Sequence, residues 1–573
     1  MLRFILIFCG MLALVLNARA QDLPKGMTEA EEAMMPYYTF PVSRGITTPP
    51  SWTPRAMAEW EEIETLLITW TSYTSVLAQI VDAAQEECVV LIACSDSNQV
   101  KSYLNSAGVP LTNVKYLEVS YNSVWIRDYG AHTIYKSEID TNSLVDWTYN
   151  RPRPQDDAMP VQHAAWAGLD LYQMTNSPWD FIATGGNLMV DGFGTAMSSQ
   201  LIVNENPSHT IAEIDTIMKR FLGIGQYVLF PTLPYDGIHH IDMHMKLLDE
   251  ETILVGEYPA GTSDGPQIEA NLQWLLSNYN SVYGTPYRVI RIPMPKDGTH
   301  YPNTGGSYCT YTNGVFVNKT YIYPSYYTQY DTTAYRIMSE SLPGYTLVPI
   351  DCYPSPIDAS GAIHCITNCI GASFPLLISH QRLSSPQTAS GNYQVDAYIT
   401  HKSGIASAHV YYKTTLSGTY QSVTMSNVGG NNWTGYIPAQ SNGDTVYYYI
   451  QAQAVSGKTQ VRPMPAPAGY WDFVVSTSTG LSEANSNAVM LDVYPNPASY
   501  ITCIPVDGGN GFSGSLSLLD ATGRTVQVLH NGSFPAGKSN YFFNALTLES
   551  GIYFIRLESV QDIQIQKVVV RNF

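Results

Sequence analysis

The sequence predicts an α/β region of repeated units, radial or stacked in architecture, followed by two all-β domains. Strand and amphipathic-helix patterns alternate from about residue 51 to 385. Within that region a hairpin–helix–strand unit recurs at intervals of roughly 60 residues, which fits radial architectures better than one doubly wound sheet. After about residue 386 the helical period disappears, and short alternating strands separated by polar turns take over.

In chain order, residues 1–20 read as a secretory signal. Arg3 is the positive start, Phe4 to Leu16 the apolar core and Ala18-Arg19-Ala20 the small-x-small cleavage site, leaving Gln21 as the new N-terminus. That core is too short to span a bilayer, and no later stretch reads as a transmembrane segment. Residues 21–50, rich in Met, Glu and Pro, read as an extended lead-in, or else as an ordered arm packed on the next domain.

The α/β region spans 51–385. Thr65 to Trp70 reads as a strand, Ser75 to Glu87 as a helix with Val76, Ile80, Val81 and Ala84 on one face, and Cys88 to Cys94 as a buried strand. Gln99 to Ala107 continues as a helix and Val114 to Val119 as a strand. Further on, Thr210 to Leu222 is helical, and Asp242 to Leu248 and Thr252 to Tyr258 form a hairpin across Asp249-Glu250-Glu251. Ile268 to Tyr279 and Thr332 to Ser341 are helices; Tyr287 to Ile292 and Tyr345 to Ile350 are strands. Asn313-Gly314, a strong turn signal, predicts a hairpin of Tyr308 to Tyr311 with Val315 to Val317.

Residues 388–475 read as a small immunoglobulin-like β-sandwich. Residues 476–488 are a Ser/Thr/Asn-rich linker, and 489–573 a second all-β domain.

A net charge of −19 makes nucleic acid an unsuitable partner and suits a basic substrate, although acidity also serves solubility alone. Besides Cys9 in the signal there are seven cysteines, an odd set with neither disulfide-scaffold nor zinc spacing, so at least one thiol is free.

Three stretches carry candidate chemistry: Trp125-Ile126-Arg127-Asp128, Ile238-His239-His240-Ile241-Asp242 and Ile363-His364-Cys365. Together they offer a thiol, an imidazole and two carboxylates. A thiol becomes a nucleophile with a base or cation beside it, and paired carboxylates match the planar fork of a guanidinium. Singly, each has a plainer reading: Cys365 as a small core residue, His240 and Asp242 as a polar pair on one strand face, Asp128 as the ion-pair partner of Arg127. Gly185-Gly186-Asn187 and Gly305-Gly306-Ser307 suit either close backbone approach or tight turns. In Arg151-Pro152-Arg153-Pro154 the prolines stiffen an extended segment, so that both guanidiniums can face one carboxylate, or else pair with Asp156 and Asp157.

Residues 51–385 resemble the Porphyromonas-type peptidylarginine deiminases, within the agmatine deiminase and guanidino-group-modifying (pentein-like) superfamily. The carriers are the three stretches above with Tyr149 to Pro154 and Thr184-Gly185-Gly186-Asn187. The resemblance implies a five-bladed α/β propeller with its site on the axis. By position it implies that Asp128 and Asp242 grip the guanidinium, Cys365 attacks it, and His240 serves as acid and base. Trp125, Arg151, Arg153 and Asn187 would bind substrate, with the arginine pair on the α-carboxylate of a C-terminal arginine. No metal or other cofactor is required; structural calcium is left open. Gly237 departs from the family pattern, which has a bulky aromatic before His-x-Asp. The tail from Val489 to Phe573, with Tyr494-Pro495-Asn496-Pro497-Ala498, Gly551 to Leu557 and Lys567 to Val570, resembles the sorting domain of the type IX secretion system. It implies a partner in that machinery and a secreted or outer-membrane-surface location in a Bacteroidota-type bacterium.

The expected function is therefore an exported, monomeric deiminase acting on arginine in peptides or proteins. Deimination of free arginine or agmatine is the alternative within the same chemistry. A cysteine peptidase would leave two carboxylates surplus, and a non-catalytic adhesin would leave four reactive positions unexplained.

Overall fold

The computed structural model describes residues 23–571 except 42–44, 260, 263, 297–308, 390, 477–488, 492, 495, 499–500, 510, 536 and 560–561. The signal, nearly all of the linker and Gly305-Gly306-Ser307 thus lie outside the described residues.

Among the described residues, the α/β region contains five separate sheets of one plan. In each, an antiparallel pair is followed by a helix and then by a strand that returns parallel to the second member of the pair. His132–Lys136, Asn142–Tyr149 and Leu171–Met174 form one such set. The next three are Met189–Val190 with Thr195–Ser199 and Gln226–Phe230, Met245–Leu247 with Thr252–Glu257 and Arg288–Pro293, and Val315–Val317 with Thr320–Ser325 and Thr346–Asp351. The fifth is assembled from both ends of the region. Its first strand is Asn368–Gly371, which pairs antiparallel with Ile63–Thr69; Val89–Cys94 and Val114–Glu118 then add in parallel. The chain that follows Cys365 is thereby hydrogen-bonded to strand 63–69, some three hundred residues earlier.

Local chemistry explains the elements. Ile211–Leu222 starts at Thr210, whose hydroxyl accepts from Glu213 N while the Glu213 carboxylate accepts from Thr210 N. Ile214, Ile217, Met218, Phe221 and Leu222 form its buried face. It stops at Gly223, with φ +74°, where a Cβ would stand 1.9 Å from the Pro54 carbonyl oxygen. Helices 74–84, 97–106, 265–278 and 328–341 and their flanking strands follow the predicted pattern to within a few residues.

Two expectations are corrected. Val315–Val317 pairs with Thr320–Ser325, so the hairpin turns at Asn318-Lys319, where Asn318 takes a φ of +51°, and not at Asn313-Gly314. His240 and Asp242 do not share a strand face: His240 caps a short 3-10 turn, Ile241–Met243, that contains Asp242.

Behind the α/β region, Leu377–Ser379, Tyr393–Thr400, Asn432–Ile437 and Ser426–Gly429 form one sheet. A second contains Gln387–Thr388, Trp471–Ser476, Thr445–Ala454, Ile405–Lys413 and Gln421–Thr424. Val395, Ile399, Val410, Tyr448 and Phe473 form the core between them. Arg462 with Glu250 and Arg382 with Asp249, each at 2.8 Å, tie this unit to the α/β region. The C-terminal unit is again two sheets, with Leu516, Ile555 and Val568 in its core.

His380 lies at the joint between the α/β region and the sheets, its ring nitrogens on the Asp396 carbonyl at 2.6 Å and the Tyr448 hydroxyl at 3.0 Å. Burial pushes it down to about 4. With its folded value below its unfolded one, it takes up a proton only on unfolding, so stability falls as pH drops from about 6.5 to about 4, by up to about 1.4 kcal/mol per unit. His380→Gln, which does not titrate, is expected to flatten the slope by that amount in urea unfolding across this range. Equal slopes would refute the assignment.

Candidate active site

The groups that converge come from equivalent places in the five units. Asp128, Gly186, Asp242, Asn313 and Cys365 each lie in the short turn immediately before the first strand of a unit. Asp128 is in the one-turn helix Ile126–Tyr129, Gly186 in 3-10 turn 185–187, Asp242 in 241–243 and Cys365 in 364–366. A turn that ends as its strand begins holds its side chains rigidly, because the strand is fixed by its ladder.

Cys365 is fully buried. Its Sγ lies 3.6 Å from Asp242 Oδ2 and 3.4 Å from Asn313 Oδ1. Burial and the neighbouring Asp242 push the thiol up to about 12, against the pull of the Lys25 ammonium. Asp242 is also buried. Desolvation alone would raise its carboxyl, but Lys25 and His364 outweigh it and hold the group well below the usual range. His364 bridges Asp242 Oδ2 at 2.7 Å and Glu59 Oε2 at 3.2 Å through its two ring nitrogens.

Across the site, Asp128 Oδ1 accepts from Gly186 N at 3.2 Å and lies 3.5 Å from His240 Nδ1. Burial, with Asp242 nearby, raises the Asp128 carboxyl. His240 Nε2 is hydrogen-bonded to the Thr184 hydroxyl at 2.9 Å. Burial and then Lys25 drive His240 well below its ordinary value, so the ring is neutral. His240 Nδ1 and Asp242 Oδ1 are buried without a hydrogen bond.

Gly186 makes this closeness achievable. A Cβ there would stand 2.6 Å from His240 Nδ1, 2.8 Å from Asp128 Oδ1 and 3.2 Å from Asp242 Oδ2. Of its two sequence readings, close approach is the one observed. Asn313 does the complementary work on the turn that carries Cys365. Its side-chain oxygen accepts from the backbone N–H of Ala362, His364 and Cys365 at 3.1–3.4 Å.

Sequence reasoning did not find Lys25. It is fully buried, and its ammonium donates to Cys365 Sγ at 2.8 Å and stands 3.8 Å from Asp242 Oδ1. Burial would lower it, but Asp242, Cys365 and Asp128 together raise it, so it stays charged. Residues 23–31 are therefore an arm packed on the domain, leading into a capped helix at Glu29–Met34, rather than an extended lead-in.

The four expected substrate residues are distributed unevenly around this arm. Trp125 Nε1 donates to the Leu23 carbonyl at 2.8 Å. Arg151 Nε donates to the Lys25 carbonyl at 3.3 Å. Arg153 donates to the Pro24 and Gly26 carbonyls at 2.9 Å each, and to the Glu31 carboxylate at 2.7 and 3.1 Å. Neither arginine is hydrogen-bonded to the nearby aspartates: Asp156 accepts from Asn122 N, Ser123 N and Ser123 Oγ, and Asp157 from Tyr149 N. Asn187 exchanges its side-chain hydrogen bonds with the backbone of Ser199. Arg127 pairs with Glu59 at 3.6 Å, not with Asp128. All seven cysteines among the described residues are buried.

The architecture is that of the guanidino-group deiminases. An Enterococcus faecalis agmatine deiminase structure matches with a TM-score of 0.51 at 18% identity, over 58% of this chain and 100% of that one. A Porphyromonas gingivalis structure, solved as an arginine deiminase candidate, matches at 0.50 and 21% identity, over 56% and 99%. A Medicago truncatula agmatine deiminase is 23% identical over 358 residues, 54% of this chain and 94% of that protein. The family model of Porphyromonas-type peptidyl-arginine deiminase matches residues 55–370, and the chain belongs to that family of C–N hydrolases. A second model, the secretion system C-terminal sorting domain, matches 492–571 and marks the chain for export.

Two substitutions test the geometry. Gly186→Ala is expected to cost about 1–3 kcal/mol by overpacking and, by displacing His240 and Asp128, about 100-fold in deiminase rate. Asn313→Leu removes the acceptor of the buried Ala362 and Cys365 N–H groups, while His364 N–H keeps the Asn313 backbone carbonyl at 3.0 Å, and it is expected to lower unfolding free energy by about 1–3 kcal/mol. Wild-type rate and stability in both would refute these roles.

Proposed function

We propose that this chain is an exported deiminase that hydrolyses the guanidinium of a peptidyl, C-terminal arginine to citrulline and ammonia. The observation that carries the reading is a buried cation site. Two carboxylates, a neutral imidazole and a thiol surround one positive group, and the ammonium now in it leaves Asp242 Oδ1 and His240 Nδ1 without hydrogen bonds. A guanidinium has five donors in a planar fork and can satisfy what three ammonium donors do not. The five sheets are read as blades around this site, and the double sheet behind them as an immunoglobulin-like module.

In this reading Asp128 and Asp242 keep the guanidinium charged, and its charge replaces that of Lys25 in lowering the Cys365 thiol. The thiolate adds to the central carbon. His240, neutral at rest, takes up the proton that Cys365 loses as its sulfur adds, and passes it to the departing nitrogen, which leaves as ammonia as the C–N bond breaks, giving an S-alkyl thiouronium on Cys365. Water then loses a proton to His240 and adds to the same carbon. The S–C bond breaks, the thiolate is restored, and a ureido group remains. No metal or cofactor takes part.

The peptidyl, C-terminal choice is supported by Arg151 and Arg153. Arg151 reaches the carbonyl of the residue whose side chain fills the cation site. A chain ending at that residue would place its α-carboxylate on Arg151, within reach of Arg153. Agmatine, the substrate in the names of the Medicago and Enterococcus proteins, has no carboxylate to offer Arg151 and Arg153.

The mature chain is expected to release citrulline from a peptide ending in arginine. Amidating that peptide is expected to reduce kcat/KM by about 10²-fold or more, from the loss of a charge-assisted bidentate contact. Cys365→Ala is expected to lose more than about 10³-fold, and His240→Ala about 10²–10⁴-fold. Equal turnover of acid and amide would remove the carboxylate role, and turnover of agmatine alone would move the chain to the small-guanidine class.

A further inference from the structure

Residues 23–31 occupy the cation site and its mouth as a polypeptide ligand would. Lys25 places an ammonium against Cys365 and Asp242. Its backbone N–H donates to the Ala359 carbonyl at 3.3 Å. The carbonyls of Leu23, Pro24, Lys25 and Gly26 are taken by Trp125, Arg153, Arg151 and Arg153 in turn. A second anchor lies further along. The Thr28–Glu31 capping box fixes the Glu31 carboxylate, which receives the fork of Arg153. Beyond it the arm is exposed, at Glu32, Ala33, Met34 and Tyr37.

The chemistry of this fit is that of a substrate that cannot react. Lysine presents a cation of about the right reach, but its ammonium has no electrophilic carbon for the Cys365 sulfur. We infer that residues 23–31 are a built-in pseudosubstrate that keeps the enzyme latent until the arm is cut or displaced, and that Lys25 is its blocking residue. The inference rests on the cation site being the guanidinium site proposed above. Tethering makes the block effective. A covalently attached arm acts at an effective concentration in the millimolar range for a short linker, whereas a cleaved peptide dilutes away. The segment is placed for release by cleavage, because Glu32, Ala33, Met34, Pro36 and Tyr37 are exposed while Lys25 itself is fully buried. A substrate then meets a reduced fraction of open enzyme, so KM rises while kcat is unaltered.

The test uses 2-chloroacetamidine, a small cationic amidine that alkylates a thiol with loss of chloride and supplies its own charge where the ammonium sat. Alkylation at Cys365 is followed by peptide mass spectrometry, beside citrulline release. Three forms are compared: the intact mature chain, the chain cut by limited proteolysis between residues 32 and 41, and Lys25→Ala. A fourth, Glu31→Gln, weakens the arm at a distance from the thiol and guards against effects of Lys25→Ala on the site itself. Thermal melting verifies that each is folded. Cutting and Lys25→Ala are both expected to raise the alkylation rate and lower KM by at least about tenfold, with Glu31→Gln intermediate. Unchanged alkylation and KM in all of them would overturn the latency. Faster alkylation after cutting, with no citrulline from any guanidine, would keep the latency and sink the deiminase. Equal citrulline release by cut and intact chains at equal KM would do the reverse.

Discussion

Two carboxylates buried within reach of one thiol cannot stand without a cation. Asp128 and Asp242 share a buried space with Cys365, and each is penalised by burial before any partner is considered. The site is therefore a hole of defined charge, and the polypeptide around it serves to keep that hole shaped. In this structure the hole is filled from within the chain by Lys25. Asp242 is held strongly ionised by Lys25 and His364, whereas Asp128, with fewer compensating contacts, is raised. The asymmetry separates two chemically identical groups by environment.

The shaping comes from repetition. Each of the five units places one turn at the same position before its first strand, so the converging groups are supplied by five ladders rather than by one loop. Gly186 removes a side chain so that His240 and Asp128 can close in, and Asn313 ties down the turn that carries Cys365. Neither carries reactive chemistry, yet both act on where the reactive groups stand.

The arginine pair joins site to ligand. Arg153 is fully buried and holds both carbonyl and carboxylate oxygens of the arm, and Arg151 holds the carbonyl next to the cation. In the proposed reading a peptide substrate would offer the same oxygens, so that recognition and self-occupancy would draw on one set of contacts. A sorting domain at one end and a site-filling arm at the other fit a chain that is carried out of the cell before it works.

The sequence by itself determined the elements and the reactive residue types. Apolar spacing marked helices such as 211–222, and Asp128, His240, Asp242 and Cys365 stood out because their chemistry is scarce and their stretches carry a family pattern. It misplaced Asn313-Gly314 as a hairpin turn because local turn propensity is blind to what the asparagine oxygen meets, and here that is the backbone before Cys365. It gave no sign of Lys25, since a lysine in a Met- and Glu-rich lead-in has no period and no local partner. Only the tertiary structure decided that Cys365 lies beside Asp242, that Gly186 faces three polar atoms and that Lys25 fills the cation site. The physical reason is range. Periodicity is set by neighbours a few residues apart, whereas the site depends on strand 368–371 pairing with strand 63–69 and on an arm folding back across 340 residues to the thiol.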